Sequence, residues 1–227
     1  ATHIGGVTIH SWSGIGIKEK LSSGDLLANV GRKKIRKNIE RANTLIIDEV
    51  SMLSGETFSM VDEVCRSVRE NNLPFGGIQV ILVGDFFQLP PVSRGKERLL
   101  FAYESDAWKE LNPVVCYLTE QYRQRDKIFL SALSAIRANT FGESHRLSVL
   151  SRMREYEDVP KDIPKIFSHN VDVDKINAEK LSGLPEKLVS FRMESIGPKA
   201  LVEFLRRGCL SPEQLDLKKG ASVMFTK

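Results

Sequence analysis

Two short apolar runs, each closing on a carboxylate, constrain this chain more than any other feature. Thr44-Leu45-Ile46-Ile47 runs into Asp48-Glu49, and Gln79-Val80-Ile81-Leu82-Val83 runs into Gly84-Asp85. Runs of this length and character suit strands covered on both faces. Between them Phe58, Val61, Val64, Cys65 and Val68 recur at helical spacing, which predicts a helix from about Gly55 to Asn71 that Pro74-Phe75-Gly76-Gly77 breaks. Strand, helix and strand in that order imply parallel strands joined by a right-handed crossover. Both acidic ends then fall on one edge of the sheet, the edge at which open α/β sheets bind ligands.

Downstream, Val114–Leu118 reads as a further strand, and the pattern then restarts. We expect a helix near Asp126–Ala138, a strand near Lys165–Ser168, a helix near Val173–Leu181 and a strand over Lys187–Met193. Pro198 and Gly208 bracket a helix containing Leu201, Phe204 and Leu205. Leu215–Lys227 reads as two short strands around Lys218-Lys219-Gly220. With 227 residues and a prior of about 150 per domain, a boundary near Leu118–Arg125 gives two modest domains, 1–120 and 121–227.

Composition excludes several classes. No window approaches the roughly 18–20 uncharged apolar residues of a membrane span, so we expect no membrane partner. Hydrophobic residues are 41% of the chain and the net charge is only +4, which argues against disorder. Cys65, Cys116 and Cys209 are odd in number and lack the close pairs of zinc sites or disulfide frameworks. That usage fits a reducing compartment. The net charge names no partner, but its distribution is uneven. Eight basic residues and three acidic ones lie between Lys18 and Arg41, including Arg32, Lys33, Lys34, Arg36 and Lys37. A local basic patch suits phosphate-backbone binding; the bland alternative is a solvated Lys-rich helix face.

Thr44–Glu49 has the form of the second motif of a nucleotide hydrolase. A rigid strand end can hold one carboxylate at Mg²⁺ while its neighbour polarises an attacking water. One strand later, Gly84-Asp85-Phe86-Phe87-Gln88-Leu89-Pro90-Pro91 places Asp85 and Gln88 beside that pair. Glutamine both donates and accepts, so Gln88 can touch a phosphate and a water together. The alternatives are an acidic strand end facing solvent and an ordinary turn.

Asp48-Glu-Val-Ser-Met-Leu53, Pro74-Phe-Gly-Gly-Ile-Gln79 and Gly84-Asp-Phe-Phe-Gln-Leu-Pro-Pro-Val92 resemble the PIF-type DNA helicases of superfamily one. Those enzymes are RecD-like, ATP-driven and 5′-to-3′ translocating. Ile4–Gly16 is similar to the family's early DNA-contacting motif, which usually has Phe where Trp12 stands. Leu118-Thr-Glu-Gln-Tyr-Arg-Gln124 resembles the fourth motif, and Ser168–Asn177 a DNA-contacting stretch of the second motor domain. Leu217–Met224 looks like the entry to the family's small β-barrel insertion. The resemblance therefore implies an α/β fold of two RecA-like parallel-sheet motor domains, both incomplete. It also implies a basic wedge-like insertion at about 17–41 and a barrel entry at about 190–227.

Carried over by position, the resemblance puts Asp48 at Mg²⁺, Glu49 as catalytic base, Gln88 as γ-phosphate sensor and Arg123 as an internal arginine finger. Asp85 joins the ATP site. Arginine suits the finger's task because it stays cationic and presents a planar donor fork; an interdomain salt bridge is the plainer role for Arg123. DNA contacts are expected at Thr8, His10, Ser11, Trp12, Lys33 and Lys34 in the first domain and at Ser168, His169 and Asn170 in the second. Trp12 could stack on an unpaired base or equally be a core aromatic. The implied cofactors are ATP and Mg²⁺. The implied partners are single-stranded DNA and single/double-strand junctions, engaged by a monomer. The implied role is genome maintenance: repair, recombination and telomere maintenance. The place of action would be the cytoplasm (nucleoid) in a bacterium, or the nucleus or mitochondrion in a eukaryote.

The 227 residues contain no Gly-x-x-x-x-Gly-Lys-Ser/Thr phosphate loop. Gly95-Lys96 is followed by Glu97, and Pro90 stands where the first Gly would be. In the family that loop precedes the early DNA motif, and the fifth and sixth motifs follow the point where this chain stops. The expectation is the middle of a helicase, inactive as an ATPase by itself. Two other readings stay open: a non-catalytic single-stranded nucleic-acid-binding protein that has lost its phosphate loop, and a RecD-like nuclease-associated subunit.

Overall fold

The computed structural model describes residues 5–16, 18, 20–91, 100–155, 158–160, 163, 165–167, 170–209 and 211–223. The chain divides into two compact units, 1–152 and 153–227.

The first unit is organised by β1 (Thr44–Ile47), α4 (Gly55–Arg69) and β2 (Gln79–Leu82). Ahead of them lie α1 (Ile9–Ser13), α2 (Ser23–Gly31) and α3 (Lys33–Arg41). α4 starts where the Ser54 hydroxyl accepts the Thr57 N–H at 3.1 Å, and it ends at Glu70 in the left-handed conformation. Its apolar stripe is the expected one: Phe58, Val61, Val64, Cys65 and Val68 are all buried. The chain returns through a single tight turn. Phe75 and Gly76 both have left-handed dihedrals (φ 52° and 63°), and a Cβ on Gly76 would lie 2.7 Å from the Cys65 carbonyl oxygen. Only glycine permits that approach. Phe75 swings inward, its ring centroid 5.0 Å from that of Phe58. Its N–H donates to buried Asp62 Oδ1 at 2.5 Å.

This turn delivers β2 parallel to β1, in the register Thr44↔Gln79, Leu45↔Val80, Ile46↔Ile81 and Ile47↔Leu82. The strand–helix–strand unit thus stands as expected, but its strands are not covered on both faces. Leu45 and Ile47 enter the core, whereas Ile46 and Ile81 are exposed. Among the described residues the helices pack on one side only, so burial alternates with the pleat. α3 lies against the same core through Ile35 and Ile39.

The segment expected to form a strand at Val114–Leu118 forms none. It is extended without a ladder partner, with Val114 90% and Leu118 96% exposed. After it come α6 (Lys127–Arg137) and α7 (Glu143–Leu150), preceded in the chain by α5 (Asp106–Leu111). The compact units part between Arg152 and Met153, later than the 120/121 boundary read from the sequence. Arg137 ties α6 to the loop after β2 through an ion pair with Asp85, a link invisible to local pattern.

The second unit holds α8 (Asn170–Ser182), β3 (Val189–Arg192), α9 (Lys199–Gly208) and β4 (Gln214–Leu217). β3 and β4 pair antiparallel, Val189 opposite Leu217 and Arg192 opposite Gln214. The described sheet here is antiparallel and falls in the segment read from the sequence as a barrel entry at about 190–227. Residues 165–167 form no strand, and Ser168 lies outside the described residues. Of the two strands expected in Leu215–Lys227, the first forms as β4 with β3 as its partner; residues 224–227 lie outside the described residues. The Lys218 ammonium then donates to the carbonyls of Ser182 and Leu184 at 3.1 and 2.7 Å, satisfying the carboxyl end of α8 with a cation where the helix dipole favours one. No described helix is long and apolar enough to cross a membrane.

Candidate nucleotide and DNA site

The carboxyl ends of β1 and β2 hold the site. The ladder continues past both strands: Val83 N–H donates to Ile47 C=O at 2.9 Å, and Val50 N–H to Val83 C=O at 3.0 Å. Between these bonds the chain must turn sharply, and Glu49 does so in a left-handed conformation (φ 54°, ψ 45°). A non-glycine residue held there is strained, and such strain concentrates at functional positions. The Asp48 carboxylate accepts the Glu49 N–H at 2.9 Å. Opposite, a Cβ on Gly84 would lie 2.9 Å from the Val50 nitrogen, so glycine is what lets the two strand ends meet.

Asp85 follows and organises its own loop. Its Oδ1 accepts the Phe87 N–H at 3.1 Å, its carbonyl accepts the Gln88 N–H at 2.9 Å, and its Oδ2 pairs with the Arg137 guanidinium. The Arg137 guanidinium also lies 5.0 Å from the centre of the Phe87 ring. Hydrogen bonding to Arg137, helped by the Phe87 N–H and the Arg137 charge, outweighs the opposing effect of desolvation and holds the Asp85 carboxyl below the usual range. Asp85 is thus ionised at neutral pH.

The structure brings Asp48, Glu49, Asp85 and Gln88 to one sheet edge, with Glu49 and Gln88 exposed. Arg123 lies in the exposed segment before α6, and no contact joins it to those four. Arg137 is the member the sequence reading missed. A cation in the last turn of a helix is unremarkable locally, and only the fold sets it against a carboxylate 52 positions away.

Among the DNA-directed residues, Thr8 caps α1, its hydroxyl accepting the Ser11 N–H at 3.3 Å. Gly14 ends that helix at φ 79°, where a Cβ would lie 2.9 Å from Ile35 Cγ1. His10 and Ser11 are exposed. Desolvation nonetheless lowers the His10 imidazole below its ordinary value, so it is neutral at pH 7 and acts as a dipole rather than a charge. Trp12 combines a buried edge with an open one. It packs on the core while half-exposed, and it lines a shallow pocket of about 440 Å³ with Lys34, Lys37, Asn38, Arg41 and Ala42. The basic segment is partly self-neutralised. Lys18 pairs with Asp25, whose carboxyl falls to about 2 chiefly through that hydrogen bond, and Arg36 pairs with Glu40 at 2.7 Å. Lys33 and Lys34 are exposed in the first turn of α3, which has no side-chain cap. Cations there oppose the helix dipole. Ser168 and His169 lie outside the described residues, and Asn170 is described only as the first residue of α8.

Comparison with known proteins places this geometry. Residues 1–143 match the model of the PIF1-like helicases. The chain is 42% identical, over its whole length, to the ATP-dependent DNA helicase Pif1 of Psychrobacter sp. (strain PRwf-1), of which it covers 36%. It superposes on the crystal structure of Pif1 helicase from Candida albicans with a TM-score of 0.80 at 32% identity, covering 97% of this chain and 51% of that one. It superposes on Pif1 helicase from Bacteroides in complex with ADP-AlF3 and ssDNA with a TM-score of 0.71 at 30% identity, covering 96% and 51%. The chain thus spans about a third of its first curated relative and half of these solved chains. On a family match that covers more than half of its residues, the chain belongs to the PIF1-like helicases.

Proposed function

We propose that this chain is the central part of an ATP-driven DNA helicase that translocates 5′-to-3′ on single-stranded DNA and opens duplex at single/double-strand junctions. The observation that carries the reading is the meeting of Asp48, strained Glu49, Asp85 and Gln88 at the carboxyl edge of two parallel strands. A relative solved with ADP-AlF3 and ssDNA supports both halves of it. The two motor domains are taken as RecA-like, with the β3–β4 end as the entry to a small β-barrel.

Asp48 and Glu49 suit a hard cation because both are exposed carboxylates and form no ion pair among the described residues. Mg²⁺ is usually held by one or two carboxylates with waters and substrate phosphates, which the Asp48–Glu49 pair could supply. Asp48 would hold it, and the ion would neutralise charge on the phosphates. Glu49 accepts the proton of the attacking water at its carboxylate. Gln88 donates to the γ-phosphate while accepting from that water, which makes loop geometry depend on the nucleotide state. Arg123 contributes positive charge to the transferring group from the segment before α6. Thr8 at the cap of α1, His10, Ser11 and Trp12 within it, and Lys33 and Lys34 of α3 hold the DNA backbone and an unpaired base without reading sequence. Ser168, His169 and Asn170 do the same from the second unit. The active form is a monomer, working wherever the host keeps its DNA.

A binder with no catalysis needs none of Asp48, Glu49, Gln88 and Arg123, so the motor reading is favoured. In the full-length protein, Glu49→Gln retains nucleotide and DNA binding and loses DNA-stimulated ATP turnover; turnover at the wild-type rate would sink the assignment. These 227 residues have no phosphate loop, so the chain alone shows no turnover. Hydrolysis by the isolated chain that Asp48→Ala abolishes would contradict this.

A further inference from the structure

We propose that Arg137 is a positioning residue: from the end of α6 its guanidinium clamps the Asp85–Gln88 loop in the shape that presents Gln88 at the nucleotide edge. The inference rests on the function proposed above. Three observations carry it.

The clamp has two jaws. The guanidinium carbon lies over the Phe87 ring, 5.0 Å from its centre, while Nη1 pairs with Asp85 Oδ2. Both partners lie within the three residues before Gln88. Arginine alone can stack and pair in this way; lysine offers a point charge.

Asp85 is the hub through which such a clamp acts. Its other oxygen accepts the Phe87 N–H, and its carbonyl accepts the Gln88 N–H. Fixing Asp85 therefore fixes the direction of Gln88. Releasing it leaves an exposed loop, since Phe87, Gln88, Leu89 and Pro90 are all exposed.

The pairing is not a by-product of packing. Ala132 and Ala135 are the buried residues of α6, and neither belongs to the main core of the unit. Ile128, Phe129 and Ile136 stay exposed. Arg137 and Asp85 are 55% and 23% exposed at their side chains, a setting in which an ion pair adds little to stability. Position explains it better. α6 is a rod of 11 residues, about 16 Å long. Arg123 stands three residues before its cap, Asp126, and Arg137 ends it. The rod thus links the Arg123 segment to the Gln88 loop.

The test uses the full-length protein with saturating single-stranded DNA. Arg137→Met retains the aliphatic stem and removes both jaws; Arg137→Lys keeps the charge. The expected result for Arg137→Met is a kcat lower by about 10- to 100-fold, with KM for ATP and DNA affinity within about twofold and the melting temperature within about 2 °C. Arg137→Lys recovers part of kcat. A kcat within twofold of wild type overturns the proposal. So does a kcat loss that comes with a fall of more than about 5 °C in melting temperature, since that marks a structural role. Glu49→Gln is assayed in parallel. If it turns over normally, the function reading itself fails; if it is dead while Arg137→Met is active, only the clamp fails.

Discussion

Gly84→Ala tests whether the two strand ends are held as closely as the site requires. An added Cβ would lie 2.9 Å from the Val50 nitrogen and 3.0 Å from Val50 Cγ1, against about 3.5–4.0 Å for relaxed contacts. Neither neighbour can rotate away, because one is backbone and the other belongs to a β-branched side chain that is 2% exposed. Val50 must retreat by roughly 0.5–1 Å, enough to stretch its 3.0 Å bond to the Val83 carbonyl beyond useful length. Overpacking costs about 1–3 kcal/mol and the lost hydrogen bond about 0.5–1.5 kcal/mol. Together these give about 1.5–4.5 kcal/mol, or a fall of roughly 3–18 °C in melting temperature for a chain of this size. Thermal unfolding followed by circular dichroism measures it. Gly31→Ala is the control: it ends α2 and has nothing within 4 Å, so it loses no stability. A Gly84→Ala melting temperature within 2 °C of wild type would refute the close approach and the convergence of Glu49 with Gln88 that depends on it.

Three further outcomes follow from particular contacts. Asp62 is buried and accepts from both the Phe75 N–H and Arg66 Nε. Asp62→Ala therefore strands a buried donor and lowers stability by about 2–4 kcal/mol in urea unfolding; a loss under 1 kcal/mol would discount that link. Cys65 is buried and its thiol is pushed up to about 12, mainly by burial and then by the Asp62 charge. Thiol titration at pH 8 should label exposed Cys116 and Cys209 and reach the third only on unfolding. The raised value also means that the unfolded chain loses this proton first as pH rises above about 9. Stability relative to Cys65→Ala therefore declines between about pH 9 and 12, and a constant difference across that window would contradict the burial. For DNA, neutralising Lys33, Lys34, Arg36 and Lys37 together flattens the salt dependence of single-stranded DNA binding; an unchanged slope would return α3 to a solvated face.

The parts legible in the sequence are those where chemistry and local geometry coincide. β1, α4 and β2 could be read because apolar period and a Pro-Phe-Gly-Gly break describe one closed crossover. The turn's residue types answer to one contact, since Gly76 must pass the Cys65 carbonyl and Phe75 must reach Phe58. α2 and α5 went unread, although each carries a serine cap. Ser22 and Asp25 form a reciprocal capping box, and Ser105 accepts the Trp108 N–H. Their apolar periods are too short to register, and the caps were the available signal. Val114–Leu118 misled for the opposite reason. Its residues favour a strand, but a strand needs a ladder partner, and propensity alone supplies none.

Arg137 marks where local reading stops in principle. Nothing within ten residues of it distinguishes a helix-ending cation from a loop clamp, since lysine and arginine are ordinary at that position. Its meaning comes from closure of the chain, which sets the end of α6 beside Asp85 and Phe87. The carboxylates could be read as chemistry because a strand end fixes them locally. The guanidinium that pairs with Asp85 could not, because its position is a property of the fold. Motifs at the end of a strand thus name the side chains that share an edge, whereas the partners of those side chains have to be found by asking where each one's hydrogen bonds go.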